Sequence, residues 1–286
     1  MTSQVLINGI LAGLTWGLVA LGFTVVYSTA RFLHAAYAAT FLVGAYVGVS
    51  LSRVPGVPLV VCALGGVAAG AVLGVGVEIL VYRPLRRMRS PSLVLFLASL
   101  AIVIIVENTV ALFFGSEIQV SAGRGVQGSL RVLGAQLTFV QAGSGIAALA
   151  LCLFTWAFTR LSPVGKQMRA VACDPELASA VGIDEKGVLL VAMLVGSALA
   201  GASGFLLAFD TAATPTMGFT VLLVGVTAAI VGGIGSLPGA MLGGLMVGVA
   251  QHVGAWFLAP EWQDAVVFVI LLLFLLLRPQ GLFGKP

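Results

Sequence analysis

The sequence predicts an all-α fold, a polytopic transmembrane helix bundle with about eight or nine spans. Of its 286 residues, 60% are hydrophobic and only 8% are charged, whereas a soluble domain carries roughly a quarter charged residues. Apolar runs of about 20 residues, each enough to cross a hydrocarbon core of about 30 Å, recur along the chain. We therefore expect an integral membrane protein with one transmembrane domain over residues 1–286.

Apolar runs separated by glycine, proline and charged residues give nine candidate spans. In chain order they are 5–27, 32–51, 57–81, 93–114, 139–158, 188–209, 219–234, 240–258 and 265–277. Runs 219–234 and 265–277 are short for a span, and run 32–51 carries polar groups near its start. One candidate is therefore open to being re-entrant, and the sequence leaves the count at eight or nine.

Basic residues predict the orientation of the bundle. If all nine runs cross with the N-terminus outside, three basic residues lie outside and eleven lie in the cytoplasm, namely Arg31, Arg83, Arg86, Arg87, Arg89, Arg160, Lys166, Arg169, Lys186, Arg278 and Lys285. Positive charge favours the cytoplasmic side, so we expect the N-terminus outside and the C-terminus inside. These residues form no stripe interleaved with aromatics, so the net charge of +4 does not indicate nucleic-acid binding.

Glycines recur at the four-residue spacing that lets membrane helices approach closely. The series are Gly13-Gly17, Gly44-Gly48, Gly66-Gly70-Gly74 and Gly239-Gly243. This spacing predicts a tightly packed bundle.

The densest charge lies at residues 164–186, which we call the charged segment. It holds seven of the 24 charged side chains, 14 basic plus 10 acidic. Asp174 suits a helix N-cap, Pro175 the first helical position and Gly182 the position after a helix end. These residues predict a short helix over 175–181.

The predicted short helix carries an apolar face of Leu177, Ala178 and Val181. A helix of this length is unstable alone in water, so the face needs a contact. Two readings stay open on the residues alone: packing on the helix's own bundle, or docking of a cytoplasmic partner.

Few strongly polar residues lie within the spans. Glu107 and Asn108 form a pair inside 93–114, and an ionised carboxylate facing lipid is costly, so we expect this face to point into the bundle or an aqueous cavity. His34 suits either a polar pathway residue or an interfacial position with its ring partly in water. Glu78 is expected to pair with Arg83, one turn away.

The charged segment resembles the cytoplasmic coupling segment of ABC importer permeases, in particular the branched-chain amino acid permease family. The matching residues are Arg169, Ala170, Asp174, Ala178, Gly182 and Ile183. Further likenesses follow in order at 8–27, 78–87, 215–219, 232–240 and 278–282. After the first span this chain departs from the family's Asn-Phe-Ala-His/Gln-Gly, because residues 34–38 read His-Ala-Ala-Tyr-Ala.

The resemblance implies the ABC importer permease fold in a bacterial inner membrane and transport of branched-chain or related amino acids. It implies ATPase subunits, a second related permease subunit and an extracytoplasmic substrate-binding protein as partners. The segment implied to couple to the ATPase comprises Arg169, Ala170, Asp174, Pro175, Leu177, Ala178, Val181, Gly182 and Ile183. The candidate pathway residues are His34, Tyr37, Glu107 and Asn108.

The sequence contains no P-loop motif, no metal-spaced His/Cys cluster and no Ser/His/Asp set. We therefore expect no catalytic residue, metal or cofactor on this chain, and ATP hydrolysis on another. An ABC permease for urea or amides remains an alternative. A stand-alone secondary transporter is a further one, with Glu107 as its candidate for ion coupling.

Overall fold

The structure, a computed structural model, describes residues 2–121, 129–132, 135–278 and 280–284. Its α-helices are α1 Thr2–Ala30, α2 Tyr37–Ser52, α3 Leu59–Val77, α4 Arg83–Arg87, α5 Ser92–Phe114, α6 Phe139–Leu161, α7 Pro163–Cys173, α8 Pro175–Ala180, α9 Glu185–Asp210, α10 Met217–Gly232, α11 Leu237–Phe257 and α12 Gln263–Leu277. A π-helical turn, Glu78–Tyr82, joins α3 to α4, and a 3₁₀ turn, Pro260–Trp262, precedes α12.

Every predicted apolar run contains a helix, so the helical membrane bundle is confirmed. Among the described residues, six helical units are long and apolar enough to cross a membrane: α1, the continuous unit Leu59–Arg87, α5, α6, α9 and α11. The shorter apolar helices are α2 and α10, at 16 residues each, and α12, at 15 residues. These three are the runs that the sequence marks as uncertain.

Helices α1 and α9 form the centre of the bundle. In each, 72% of the most apolar stretch is buried within the chain, against 22–28% for α3, α5 and α6. α1 packs along α11, whereas α9 packs along α2 and α3. The outer helices therefore present most of their apolar surface to the outside of the bundle.

The predicted glycine contacts hold these helix pairs together. At the centre of the α2–α3–α9 group, a methyl group added to Gly201 would overlap main-chain atoms of Gly66 and lie 3.2 Å from Cα of Gly70. On the other side of the bundle, a methyl group added to Gly13 would lie 2.8 Å from Cα of Leu245. Only a hydrogen at the α-carbon permits such close approach, which increases the van der Waals contact between helices.

The start of α2 differs from the prediction. Arg31 adopts a left-handed conformation, with φ +54°, and ends α1. Residues 32–36 form an irregular connection, and α2 begins only at Tyr37. Phe32, Ala35 and Ala36 are apolar because they are buried in this connection, not because they belong to a helix. Hydrophobicity alone does not distinguish a buried connection from a buried helix.

The expected ion pair of Glu78 also differs, because its partner is Arg86 rather than Arg83. The π-helical turn Glu78–Tyr82 inserts extra backbone between α3 and α4, which changes which side chains lie above one another. The pair lies at the C-terminal end of the long unit Leu59–Arg87.

A two-stranded antiparallel hairpin follows α5 and departs from the all-α prediction. Strand β1, Ser129–Val132, pairs with β2, Ala135–Thr138, with Leu130 opposite Leu137. The side chain of Gln4 in α1 donates to the Gln136 carbonyl at 2.9 Å and accepts from its N–H at 2.7 Å. The hairpin is therefore attached to the N-terminal end of α1.

Candidate functional site

The charged segment folds as two helices that meet at Asp174. The residue takes an extended conformation that ends α7, and its carboxylate accepts the N–H of Leu177 at 3.0 Å. Pro175 occupies the first position of α8, where its missing N–H breaks no hydrogen bond. The predicted cap and short helix are confirmed. The sequence did not predict the preceding helix α7.

The end of α8 is fixed by a Schellman motif. Gly182 has φ +86°, its N–H donates to the Ser179 carbonyl at 3.0 Å, and the N–H of Ile183 donates to the Ala178 carbonyl at 3.0 Å. This motif requires a positive φ, which glycine adopts without a steric penalty. A six-residue helix is thus held in shape by caps at both ends.

The apolar residues of α8 divide between two faces. Ala178 is 3% exposed and packs in a cluster with Met168 and Val171 of α7. Leu177 and Val181 are 64% and 70% exposed. The prediction of one shared face is wrong, because consecutive helical residues differ in direction by about 100°. One residue thus attaches α8 to the bundle, and two adjacent apolar side chains point outward.

Two arginines fix the charged segment to the bundle. Arg31 donates to the carbonyls of Ala172 and Cys173 at 3.0 and 2.8 Å, at the C-terminal end of α7. Arg169 donates to main-chain carbonyls around the α6–α7 connection, including that of Thr159. Positive charge is favourable at helix C-termini, where carbonyls lack helical partners. The sequence missed the role of Arg31, which lies 141 residues from Ala172.

The two predicted pathway residues before and at the start of α2 are fully buried. His34 is 0% exposed, and its Nδ1 lies 2.8 Å from the hydroxyl of Tyr82. Tyr37 is also 0% exposed, and its hydroxyl donates to the Val19 carbonyl at 2.9 Å. Within this chain His34 therefore does not lie at a wet interface, and Nε2 of its ring has no hydrogen-bond partner among the described residues.

Glu107 and Asn108 point in different directions. Oε1 of Glu107 is buried without a hydrogen-bond partner among the described residues and faces the first turn of α10, where a methyl group added to Gly218 would lie 3.5 Å from it. Asn108 is exposed on the outer side of α5, and its amide donates to the Ile104 carbonyl of its own helix at 2.7 Å. The structure therefore does not bring the four predicted pathway residues together.

A polar cavity of about 270 Å³ lies at the end of the bundle opposite the charged segment. It lies among the N-terminal parts of α1, α6, α10 and α12 and the C-terminal parts of α9 and α11. Its polar lining includes Asn8, Gln141, Asp210, Gln251, His252 and Asp264. The sequence did not predict this site, since its residues come from six helices that are far apart along the chain.

A family model described as the branched-chain amino acid transport system permease component matches residues 5–275. The chain belongs to the branched-chain amino acid permease family. Its relatives include the high-affinity branched-chain amino acid transport system permease protein LivH of Salmonella typhimurium, 33% identical over 99% of this chain and 96% of that one. The corresponding protein BraD of Pseudomonas aeruginosa is 30% identical with the same coverage.

A solved structure extends the comparison from sequence to fold. The chain aligns with PsaBC from Streptococcus pneumoniae in complex with Fab, with a TM-score of 0.54, over 97% of this chain and 93% of that one. The sequence identity is 15%, so this likeness concerns the fold alone. This branched-chain amino acid permease family member thus shares its overall fold with that solved structure.

In this permease family member, the segments 232–240 and 278–282 approach each other at the end of the bundle that carries the charged segment. The loop between α10 and α11 contains Gly233 and Gly235, with φ +105° and +89°. After α12, the N–H groups of Leu282 and Phe283 donate at 3.0 Å each to the carbonyls of Val231 and Gly232. Through Leu282 and Phe283, the chain after α12 therefore pairs with the last turn of α10.

Proposed function

We propose that the chain is the membrane-spanning subunit of an ABC importer for branched-chain or related amino acids. In this role it forms part of the translocation pathway, while a separate ATPase supplies the energy. Family membership over residues 5–275 supports the permease role. The names of the LivH and BraD relatives support the substrate class.

The observation that carries the coupling role is the exposed pair of Leu177 on α8 and Val181 directly after it. The helix is capped at both ends and anchored by Ala178, so the pair is presented in a fixed geometry. Exposed apolar side chains on an ordered helix outside the spans favour docking to a protein groove. We assign this groove to the ATPase subunit, because the sequence has no P-loop of its own.

The polar cavity supports the assignment of the opposite end to substrate entry. Carboxylates and amides there can bind the charged ends of an amino acid, and a volume of about 270 Å³ accommodates a small solute. An extracytoplasmic binding protein would deliver the substrate at this end. A second, related permease subunit would complete the pathway. The bacterial inner membrane, with the N-terminus outside, follows as the proposed location.

The coupling role is tested with Leu177→Asp and Val181→Asp in the full transporter. Each variant places a charge in the proposed apolar contact, so we expect the ATPase subunit to be lost on purification and uptake to fall at least tenfold. Met88→Asp is the matched control, since Met88 is 75% exposed in the arginine-rich connection after α4 and lies outside α8.

Membrane insertion should be unchanged in all three variants. Normal uptake and ATPase activity in both α8 variants would exclude this coupling helix. The substrate class is tested separately by ligand binding to the partner binding protein, with leucine compared against urea and acetamide. Preference for urea or an amide would exclude branched-chain amino acids. Transport by the purified chain alone would instead indicate a stand-alone transporter.

A further inference from the structure

A cationic cavity lies beside the charged segment, at its junction with the bundle. It has a volume of about 630 Å³, is open on one side, and is lined by the C-terminal end of α1, the α6–α7 connection, α7, the loop between α10 and α11, and Phe283. It shares no lining residue with the polar cavity. It is therefore a second site, at the other end of the bundle.

The charge of this cationic cavity is not compensated by the protein. Arg160 and Arg169 line it, and no acidic residue is among the described residues that do. Neither arginine forms a salt bridge with a described residue. The guanidinium of Arg160 lies 5.5 Å from the ring centre of Trp156, which orients it along the wall. The main-chain bonds of Arg169 all come from Nη1, so its other N–H groups remain available. Two guanidinium groups beside one cavity, neither with an acidic partner among the described residues, favour an anionic ligand.

The remaining walls are largely apolar. Trp156, Met168 and Leu237 line the cavity together with Val25 and Phe283. It lies where α1 and α6, two apolar spans, end at Ala30 and Leu161 and the charged segment begins. A ligand that fills it must therefore carry an anionic group and apolar chains side by side.

We propose that the cationic cavity binds an anionic glycerophospholipid. Its phosphate would contact Arg160 and Arg169, and its acyl chains would lie against Trp156 and the apolar walls. Basic pockets between membrane helices at the membrane surface are suited to anionic lipid headgroups, and guanidinium groups bind phosphate through paired N–H donors. Free phosphate would satisfy the arginines but leave the apolar walls in water, so the lipid fits both parts of the site.

The position of the site gives the lipid a structural consequence. Arg160 belongs to α6 and Arg169 to α7, so one phosphate would bridge the two helices. The bridge would restrain the connection from which the charged segment extends. Anionic lipid would therefore stabilise the orientation of α7 and α8, whichever partner docks on α8. The inference does not depend on the proposed transport function.

The proposal is tested by native mass spectrometry of the full-length chain, with its co-purifying subunits, titrated with phosphatidylglycerol or phosphatidylcholine of the same acyl chains. We expect preference for phosphatidylglycerol, and about fivefold weaker binding in Arg160→Gln, the factor for one interfacial arginine. Lys166→Gln is the matched control, because Lys166 is an exposed cation of α7 outside the cavity. Arg160→Lys should retain part of the preference.

A second measurement, the quenching of Trp156 fluorescence, tests the site without an arginine variant, in case that variant folds poorly. Phosphatidylglycerol with a spin label near the headgroup should quench Trp156, measured as the difference between wild type and Trp156→Phe. Equal binding of the two lipids, equal loss in Arg160→Gln and Lys166→Gln, or no Trp156-dependent quenching would overturn the proposal. Inorganic phosphate that blocks lipid binding and gives the same thermal stabilisation would identify a free-anion site and overturn it as well.

Discussion

At the residue scale, His34 illustrates how burial changes the role of a polar side chain. Its ring lies in the connection between α1 and α2, against Phe32 and Tyr82, with Nδ1 bonded to the tyrosine hydroxyl. Burial, together with the nearby Arg86 guanidinium, lowers the pKa of His34 to about 3. The imidazole is therefore neutral in the folded chain at every physiological pH.

This low pKa predicts that acid destabilises the fold. In the unfolded chain the pKa of His34 is about 6.5, so the unfolded state binds the extra proton first. The stabilisation is complete above pH 6.5 and is lost progressively as the pH falls toward 3. Between pH 7.5 and 5.5 we expect a loss of about 1 kcal/mol from this group, measured as a fall in melting temperature.

The matched variant for this prediction is His34→Gln, which cannot take up a proton in this range. Other groups titrate in both proteins, so the difference between their pH profiles isolates His34. The wild type should lose more stability than the variant on acidification. Parallel profiles would show that the ring is protonated equally easily in the folded and unfolded chains.

At the element scale, glycine contacts rather than polar bonds determine which helices lie together. Gly201 of α9 touches α3 at both Gly66 and Gly70, and a methyl group at Gly44 of α2 would overlap its main chain. Gly201→Ala should therefore separate three helices, with a cost of about 1–3 kcal/mol from overpacking and a corresponding fall in melting temperature.

Gly76→Ala is the control for Gly201→Ala. It makes the same change within α3, but a methyl group there meets nothing within 4 Å. We expect it to be neutral or slightly stabilising, since alanine favours helix more than glycine does. Equal melting temperatures for the two variants would mean that the α2–α3–α9 contact is not tightly packed.

Elements that depend on local residue order were predictable, and those that depend on distant contacts were not. Asp174, Pro175 and Gly182 identify α8 because capping acts within a few residues. The π-helical turn at Glu78–Tyr82 and the pairing of Glu78 with Arg86 leave no comparable local pattern. The polar cavity was missed for the same reason, because its residues are distant in the sequence.

At the scale of the whole molecule, the cysteines provide a test of orientation. Cys62 and Cys152 are buried, whereas Cys173 is exposed in the charged segment. A membrane-impermeant maleimide should therefore label the wild-type protein in inverted vesicles and leave it unlabelled in intact spheroplasts. Mass spectrometry of the labelled protein locates the site, and Cys173→Ser should remove the signal.

The reciprocal variant guards against shielding of Cys173 by a bound subunit. Ser116 is exposed after α5, at the other end of the bundle. Ser116→Cys in the Cys173→Ser background should react in spheroplasts and not from the opposite side. Labelling of Cys173 in spheroplasts would contradict the proposed orientation and indicate the opposite one.

Helix α1 is held at both ends, by Gln4 to the hairpin and by Arg31 to the end of α7. Its 29 residues span about 44 Å, and its wall contributes to both the polar and the cationic cavities. Such a helix can transmit a displacement from one end of the bundle to the other. If α7 moves while the two Arg31 hydrogen bonds stay intact, α1 moves along its axis with it, so the displacement of α1 limits how far the movement extends through the protein.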